Sequence, residues 1–335
     1  MKKLIFSITI VCIVIASIFI LNFYSYCITP YSSTPVDITI NIPEGTSFKK
    51  VSLLLAEKNI VRKSIRFSLL AKLKNAEQKI KTGEYCMTTP MSPVEVLDKL
   101  IKGEVIIHSV TIPEGKNIFG VAKIMEEAGL GSASGTLEKM KDPEFIKSLG
   151  IKEESLEGFL FPDTYHFSRK TVPEKILRRM VARHNRIINT KIKKEAEQKG
   201  LTIKEVIILA SLVEKETART FEKPLIAAVF LNRLKKGMRL ECDPTVIYGV
   251  KLNDPNFNTR LRTKQLREET PYNTYRIFGL PKGPICNPGL GSMQAVLNPA
   301  ETDYLYFVSK NNGSHKFSPT LREHNQAVYT FQKKK

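Results

Sequence analysis

A chain of 335 residues with 42% hydrophobic and 25% charged side chains has enough apolar mass for two or three packed domains and is no disordered polymer. Lysine and arginine number 52 against 33 aspartates and glutamates, a formal charge of +19 that suits an anionic partner: nucleic acid, an anionic membrane surface or an acidic polymer. The five cysteines, Cys12, Cys27, Cys86, Cys242 and Cys286, form no Cys-x-x-Cys pair and no Cys/His cluster. That argues against a structural metal site and against a full disulfide framework, leaving at most an isolated bridge such as Cys242–Cys286.

Met1-Lys2-Lys3 precedes an uncharged run from Leu4 to Leu21. At 1.5 Å per residue such a run reaches about 27 Å, close to the thickness of a bilayer core. The pattern predicts one membrane-spanning helix over residues 4 to about 24, with Tyr24 and Tyr26 at the outer interface. Lys2 and Lys3 place the N-terminus in the cytoplasm. The run is long for the apolar region of a signal peptide and no clear A-x-A site follows, so it reads as a retained anchor in the cell membrane. Everything after it is then extracytoplasmic, which removes nucleic acid from the partners that suit the charge.

Residues 29–35, rich in Pro, Ser and Thr, read as a linker. Val36, Ile38, Ile40 and Ile42 alternate with polar residues as in a half-buried strand, Pro43-Glu44-Gly45 turns the chain, and Phe48, Val51 and Leu55 share a helix face. The same unit returns 70 residues later: Ile106, His108, Val110 and Ile112 alternate, Pro113-Glu114-Gly115 turns, and Ile118, Val121, Ala122 and Met125 share a face. Ile-Pro-Glu-Gly occurs in both, so the segment is an internal duplication of a strand–turn–helix unit. Between the copies lie an apolar helix over Ile65–Leu73, a strand at Glu84–Met87 and a helix opened by the capping box Ser92-Pro93-x-Glu95 and closed by Gly103. This strand–helix–helix–strand order resembles the LysM carbohydrate-binding module; a subdomain that only positions the rest has the same pattern.

From about residue 131 the pattern is mostly helical, interrupted by Glu157-Gly158-Phe159-Leu160-Phe161-Pro162. One helix is expected over Pro173–Lys199. Thr202-x-x-Glu205 is a second capping box, and from Val206 to Val213 only Ser211 is polar, so this helix belongs in a core. It ends on Glu214 and Glu216, both on the flanks of the apolar face. A carboxylate there meets the negative end of the helix dipole; where it is also desolvated its charged form is disfavoured, and its pKa rises into the range of a general acid working near neutral pH. A solvated helix end has the same sequence, and geometry does not choose between the two glutamates. A further helix follows over Phe221–Lys236. Alternating Met238, Leu240 and Cys242 predict a strand leading into Asp243-Pro244-Thr245. A turn-rich segment spans Gly279–Gly289, and Asn312-Gly313 marks a hairpin between Tyr304–Ser309 and His315–Ser318. A helix over Leu321–Phe331 closes the chain. The fold class is α+β: an N-terminal transmembrane helix, a LysM-like α/β subdomain and a C-terminal mixed α+β catalytic domain.

Ala210-Ser211-Leu212-Val213-Glu214-Lys215-Glu216, Asn232-Arg233-Leu234, Asp243-Pro244-Thr245-Val246-Ile247-Tyr248-Gly249, Tyr272-Asn273-Thr274-Tyr275, Gly279-Leu280-Pro281, Asn287-Pro288-Gly289 and Tyr304-Leu305-Tyr306-Phe307-Val308 occur in this order. With the upstream Glu157-Gly158 segment, the set resembles the endolytic murein transglycosylases, the YceG-like or MltG family, over nearly the whole chain. The Glu241-Cys242 pair departs from the family, where glutamine and a small residue are common, and places a second acid near the site.

The resemblance implies domains at 1–28 (cytoplasmic N-terminus and anchor), 29–35 (linker), 36–130 (LysM-like duplicated region) and 131–335 (catalytic). It aligns Glu214 with the family's single catalytic glutamate and implies a lyase needing no cofactor and no metal. That enzyme cleaves the β-1,4 bond between N-acetylmuramic acid and N-acetylglucosamine inside nascent peptidoglycan strands, leaves 1,6-anhydro ends and terminates elongation. Asn232, Thr245, Tyr248, Asn273 and Tyr275 are its candidate substrate-binding residues, and membrane-bound peptidoglycan synthases its expected partners. Two rivals differ in chemistry: a non-catalytic peptidoglycan-binding scaffold, and a hydrolase that releases reducing ends.

Overall fold

The computed structural model describes residues 2–168, 171–257 and 260–333. The chain divides into two compact units, Met1–His108 and Ser109–Lys335.

The first unit opens with α1, Lys2–Ile28; within it Ile5–Ile28 is long and apolar enough to cross a membrane, the only such helix among the described residues. Its last turn departs from the expected interfacial role. Tyr24 is exposed, but Tyr26 and Cys27 are buried in the core of this unit, and the Tyr26 hydroxyl donates to the Lys63 carbonyl. A phenol whose hydroxyl finds a carbonyl can enter a core without an unpaired polar atom. Then follow β1 (Asp37–Ile42), α2 (Phe48–Glu57), α3 (Ser64–Leu73), β2 (Gly83–Thr88) and α4 (Pro93–Lys102). β1 and β2 pair antiparallel, Ile40 opposite Tyr85, and bury Ile40, Ile42, Tyr85 and Met87 against the helices. Phe48 and Phe67 stack between α2 and α3 at 5.8 Å. The Ser92 capping box forms as the sequence requires, and Gly103 takes the left-handed conformation that ends α4.

In the second unit β3 (His108–Thr111, its first residue the last of the preceding unit) pairs with β4 (Thr164–Phe167), with α5 (Ile118–Glu127), α6 (Ala133–Lys141) and α7 (Pro143–Ser148) between them. The two strand–turn–helix segments are alike in structure. α2 buries Phe48, Val51, Ser52 and Leu55, and α5 buries Ile118, Val121, Ala122 and Met125, the same four steps of one helix face. Gly45 and Gly115 have φ of 79° and 75° in the two Pro-Glu-Gly turns. The helices also end alike: Asn59 and Gly129 take positive φ, and the next amides, Ile60 and Leu130, return to Leu55 and Met125.

The expected helix over Pro173–Lys199 is broken into α8 (Pro173–Ile187), a π turn (Ile188–Ile192) and α9 (Lys193–Gln198). α10 (Ile203–Glu216) buries every residue from Val206 to Val213 and packs on α14 (Leu290–Leu297) and α11 (Lys223–Lys235). α12 covers Asp243–Asn253 and α13 Thr263–Arg267. The strand expected at Met238–Cys242 does not form. Leu240 and Cys242 point into the core, as the alternation requires, but Glu241 between them sits at φ 51° and its amide bonds only to the Thr274 carbonyl, so no ladder can run through it. β5 (Tyr306–Ser309) and β6 (His315–Ser318) make the hairpin around Asn312-Gly313, and α15 (Leu321–Val328) follows. All five cysteines are free thiols, so the Cys242–Cys286 bridge does not form.

Because the last turn of α1 is part of the core, cleavage there would remove Tyr26 from its packing. The mature protein is therefore expected to keep its first 25 residues, and N-terminal sequencing of protein isolated from membranes checks it; a chain beginning after residue 25 contradicts it.

Candidate active site

Glu214 lies in the last turn of α10, and its side chain is 7% exposed. The Thr202–Glu205 capping box fixes where α10 starts, and the buried run Val206–Val213 fixes its rotation. Ser211, the one polar residue in that run, lies inside the core. It is fully buried, donates to the Ile208 carbonyl and accepts from the Ile285 amide at 3.1 Å, which draws the turn-rich segment 279–289 alongside the helix.

The surroundings of Glu214 differ from those expected of a carboxylate desolvated by an apolar helix. The Lys223 ammonium lies 3.0 and 3.2 Å from its two oxygens. Oε2 also accepts from the Gly289 amide at 3.0 Å and the Ser292 hydroxyl at 2.6 Å. Gly289 is the N-cap of α14, so although Glu214 ends its own helix it faces the positive end of another. Such donors complement a carboxylate, and charge-assisted bonds of this kind are the strong ones. Lys223 begins α11 with its side chain only 6% exposed. Its neighbour Glu222 is anchored the other way, accepting from the His315 amide and the Thr217 hydroxyl and pairing with the His315 ring at 2.8 Å. Burial opposes ionisation of Glu222, but the bonds and charge of His315 outweigh it and hold the carboxyl below its ordinary range.

A second carboxylate reaches the same ammonium. Glu114, in the turn after β3, places Oε2 3.5 Å from Lys223 Nζ with half of its side chain in solvent. A Cβ on Gly289 would collide with its carboxyl group. The turn is held by Asn287, whose backbone carbonyl accepts from Gly115 and whose amide donates to Lys116 O, both at 3.0 Å. The Asn287 side chain donates again to Lys116 O and to Glu157, and accepts from the Leu160 amide. Glu157 is buried among Asn287, Tyr248 and the Ile118 amide, and burial pushes its carboxyl up to about 8.

Glu216 takes a different environment. Half-buried, it accepts the Cys242 thiol at 3.1 Å, and desolvation raises its carboxyl above the ordinary range. Glu241, expected as a second acid, pairs with Arg233 at 3.0 Å. The five candidate groove residues separate. Asn232 donates to the Thr302 and Tyr304 carbonyls; Thr245 donates to Cys242 O and meets the Thr274 hydroxyl; Asn273 donates to the carbonyls of Gln265, Leu266 and Glu268. Tyr248 is buried with its hydroxyl on Glu157 and its ring edge-on to Tyr272, beside a cavity of about 640 Å³ whose walls do not include Glu214. Tyr275 is half-buried, and its hydroxyl donates to Asp243 at 2.7 Å. Sequence reasoning missed Lys223, Ser292 and Glu114 as neighbours of Glu214. The Ile-Pro-Glu-Gly repeat contained one of them, read as a turn.

Residues 40–330 match the model of the YceG-like family. The chain belongs to that family. A Bacillus subtilis (strain 168) relative named endolytic murein transglycosylase is 33% identical over 306 residues, 87% of this chain and 83% of that one. A Streptococcus pneumoniae (serotype 2) protein of the same name is 29% identical; the match covers 92% of this chain and 62% of the longer relative. The 2.6 Å crystal structure of a yceG-like protein from Listeria monocytogenes superposes with a TM-score of 0.60 at 32% identity, covering 88% of this chain and all of that one.

Two outcomes follow from this family member's site. The carboxyl that Gly289→Ala would meet is the far end of a flexible side chain, and the backbone at Gly289 (φ −78°) accepts alanine. Gly289→Ala is therefore expected to fold, within about 1 kcal/mol of the parent in denaturant unfolding, while a crystal structure shows Glu114 displaced from Lys223. Glu157 gives a pH signature. Its folded carboxyl, at about 8, keeps a proton that the unfolded chain loses near 4.5, so it removes stability as pH rises from about 4.5 to about 8. Stability curves of the parent and Glu157→Gln should diverge over that window, with the variant gaining relative stability toward pH 8.

Proposed function

We propose that this protein is a membrane-anchored peptidoglycan lytic transglycosylase, a lyase that cuts within glycan strands with Glu214 as its only acid and base. The observation that carries the reading is the held carboxylate of Glu214, where four segments of the second unit meet. The names of the Bacillus and Streptococcus relatives support it.

In this mechanism N-acetylmuramic acid binds with its C6 hydroxyl facing its own anomeric carbon. Neutral Glu214 donates its proton to the oxygen of the β-1,4 bond to N-acetylglucosamine, and the C1–O bond breaks. The C6 oxygen attacks C1, its proton passes to the Glu214 carboxylate, and a 1,6-anhydro ring closes without water. The nucleophile belongs to the substrate, so its attack is intramolecular and one carboxyl group serves both proton transfers. Oε2, fixed by Gly289 and Ser292, keeps the carboxyl plane oriented through the cycle. Tyr275 presents a partly open aromatic surface for sugar, while Asn232, Thr245 and Asn273 shape the groove by fixing its backbone and Tyr248 supports it through Glu157.

α1 anchors the protein in the cell membrane with the N-terminus in the cytoplasm and the folded units outside. The site then meets strands as they leave membrane-bound synthases, and cutting there terminates elongation. The first unit acts as a LysM-like glycan-binding region, and the catalytic unit, Ser109–Lys335, takes in the second strand–turn–helix copy with Glu114. The +19 charge attracts anionic lipid and the carboxylates of stem peptides.

A second reading, hydrolysis, draws on Glu114. Two carboxylates around one site are the equipment of ordinary glycosidases. Mass spectrometry of products from purified peptidoglycan separates the two, because an anhydro end is one water lighter than a reducing end. Glu214→Gln should lose at least about 10²-fold in rate, the usual worth of general acid–base help, with far less lost in Glu216→Gln. An active Glu214→Gln would end the reading in favour of a scaffold.

A further inference from the structure

We propose that Lys223 and Glu114 are positioning residues for the cut, with Lys223 a permanent ammonium shared by two carboxylates and Glu114 the partner it keeps while Glu214 carries a proton. The proposal rests on Glu214 as the acid and goes beyond it by saying what makes its neutral form tolerable.

An ammonium with 6% of its side chain exposed needs a counter-charge, because a buried charge without a partner is strongly disfavoured. At 3.0 Å, Glu214 is its nearest one. Every turnover starts with Glu214 neutral, which deprives Lys223 of that partner. Glu114, at 3.5 Å and half in water, supplies the second counter-charge. The local architecture admits this carboxylate specifically. Gly289 lacks the Cβ that would exclude it, and Asn287 clamps the Glu114 turn at Gly115 and Lys116. No proton leaves Lys223: the one given to the leaving oxygen comes from Glu214, and the one that restores the acid comes from the C6 hydroxyl.

The remaining groups around the pair are engaged with partners other than Glu114 and Lys223. Lys215 on α10 lies 3.5 Å from Gly115 O; Cys286, a thiol kept protonated by burial, borders α10; Glu157 stands behind Asn287. Glu216 turns to Cys242 and Glu222 to His315, and α14 brings no charged side chain.

The test is the pH dependence of strand cleavage by the full chain in detergent micelles, read at the alkaline limb where Glu214 loses the proton it must donate. Lys223→Gln removes a positive neighbour and should move that limb up by about 1–3 pH units. Glu114→Gln removes a negative neighbour, leaves Lys223 to Glu214 alone, and should move the limb down by less. Lys223→Arg keeps the charge and should restore the limb of the parent, and Gly289→Ala, which displaces Glu114, should follow Glu114→Gln. A purely structural role lowers rates without opposite displacements. If Lys223→Gln fails to fold, Glu114→Gln decides alone, since its carboxylate is half exposed. A limb that stays in place, or moves up, in Glu114→Gln overturns the proposal. Loss of activity in Glu214→Gln together with unmoved limbs defeats this proposal only, whereas an active Glu214→Gln defeats the reading beneath it.

Discussion

The second unit is organised around the side chain and backbone of Asn287. It is fully buried and makes bonds in three directions: to Gly115 and Lys116 in the turn after β3, to the Leu160 amide, and to the carboxyl of Glu157. The Leu160 amide and the Glu157 carboxyl are buried, so losing the Asn287 side-chain amide would leave the Leu160 N–H without its partner and take one donor from Glu157. Pro288 and Gly289 follow directly, and Gly289 delivers the amide that reaches Glu214. One residue, two positions before Gly289, thereby fixes both the Glu114 turn and the approach of the Gly289 amide to Glu214.

The charge arrangement at Glu214 shows why local helix rules mislead at a junction. The dipole of α10 disfavours a carboxylate at its C-terminal end, yet the N-terminus of α14 and the Lys223 ammonium oppose that effect at hydrogen-bonding distance. Direct donors at about 3 Å outweigh a dipole spread over a helix turn. Glu216, two residues on, lacks such donors. It meets only a thiol, and its carboxyl is pushed up by burial. Two glutamates that sequence alone could not separate thus have different partners: an ammonium, an amide and a hydroxyl around Glu214, a thiol beside Glu216.

What the sequence disclosed follows the range of the forces involved. Capping boxes at Ser92 and Thr202, the buried face of α10, the hairpin turn at Asn312-Gly313 and the duplicated strand–turn–helix are local patterns, and each forms where periodicity and turn chemistry put it. The strand expected at Met238–Cys242 fails for a non-local reason: alternation reported burial correctly, but the ladder needs a partner and Glu241 takes a left-handed conformation. Tyr26 likewise enters a core because Lys63 offers a carbonyl that no pattern near residue 26 reveals. Nothing in the local pattern around Lys223 marks it, because its burial depends on Glu114 and Glu214, separated from it by 109 and 9 residues.

The Pro-Glu-Gly turns carry that lesson to its end. Both glycines adopt nearly the same positive φ, and both turns feed helices that bury the same four positions, so backbone geometry alone accounts for the repetition of the motif. A reader of the sequence has no reason to ask more of the glutamate between Pro and Gly. In the second copy, Asn287 fixes that turn beside Gly289, and the middle residue of a structural motif arrives at an ammonium already paired with Glu214. Both copies share the turn; the partner comes from the unit in which the second copy is embedded. A residue of that kind carries no signature of its own, because its chemistry comes from what is packed against it.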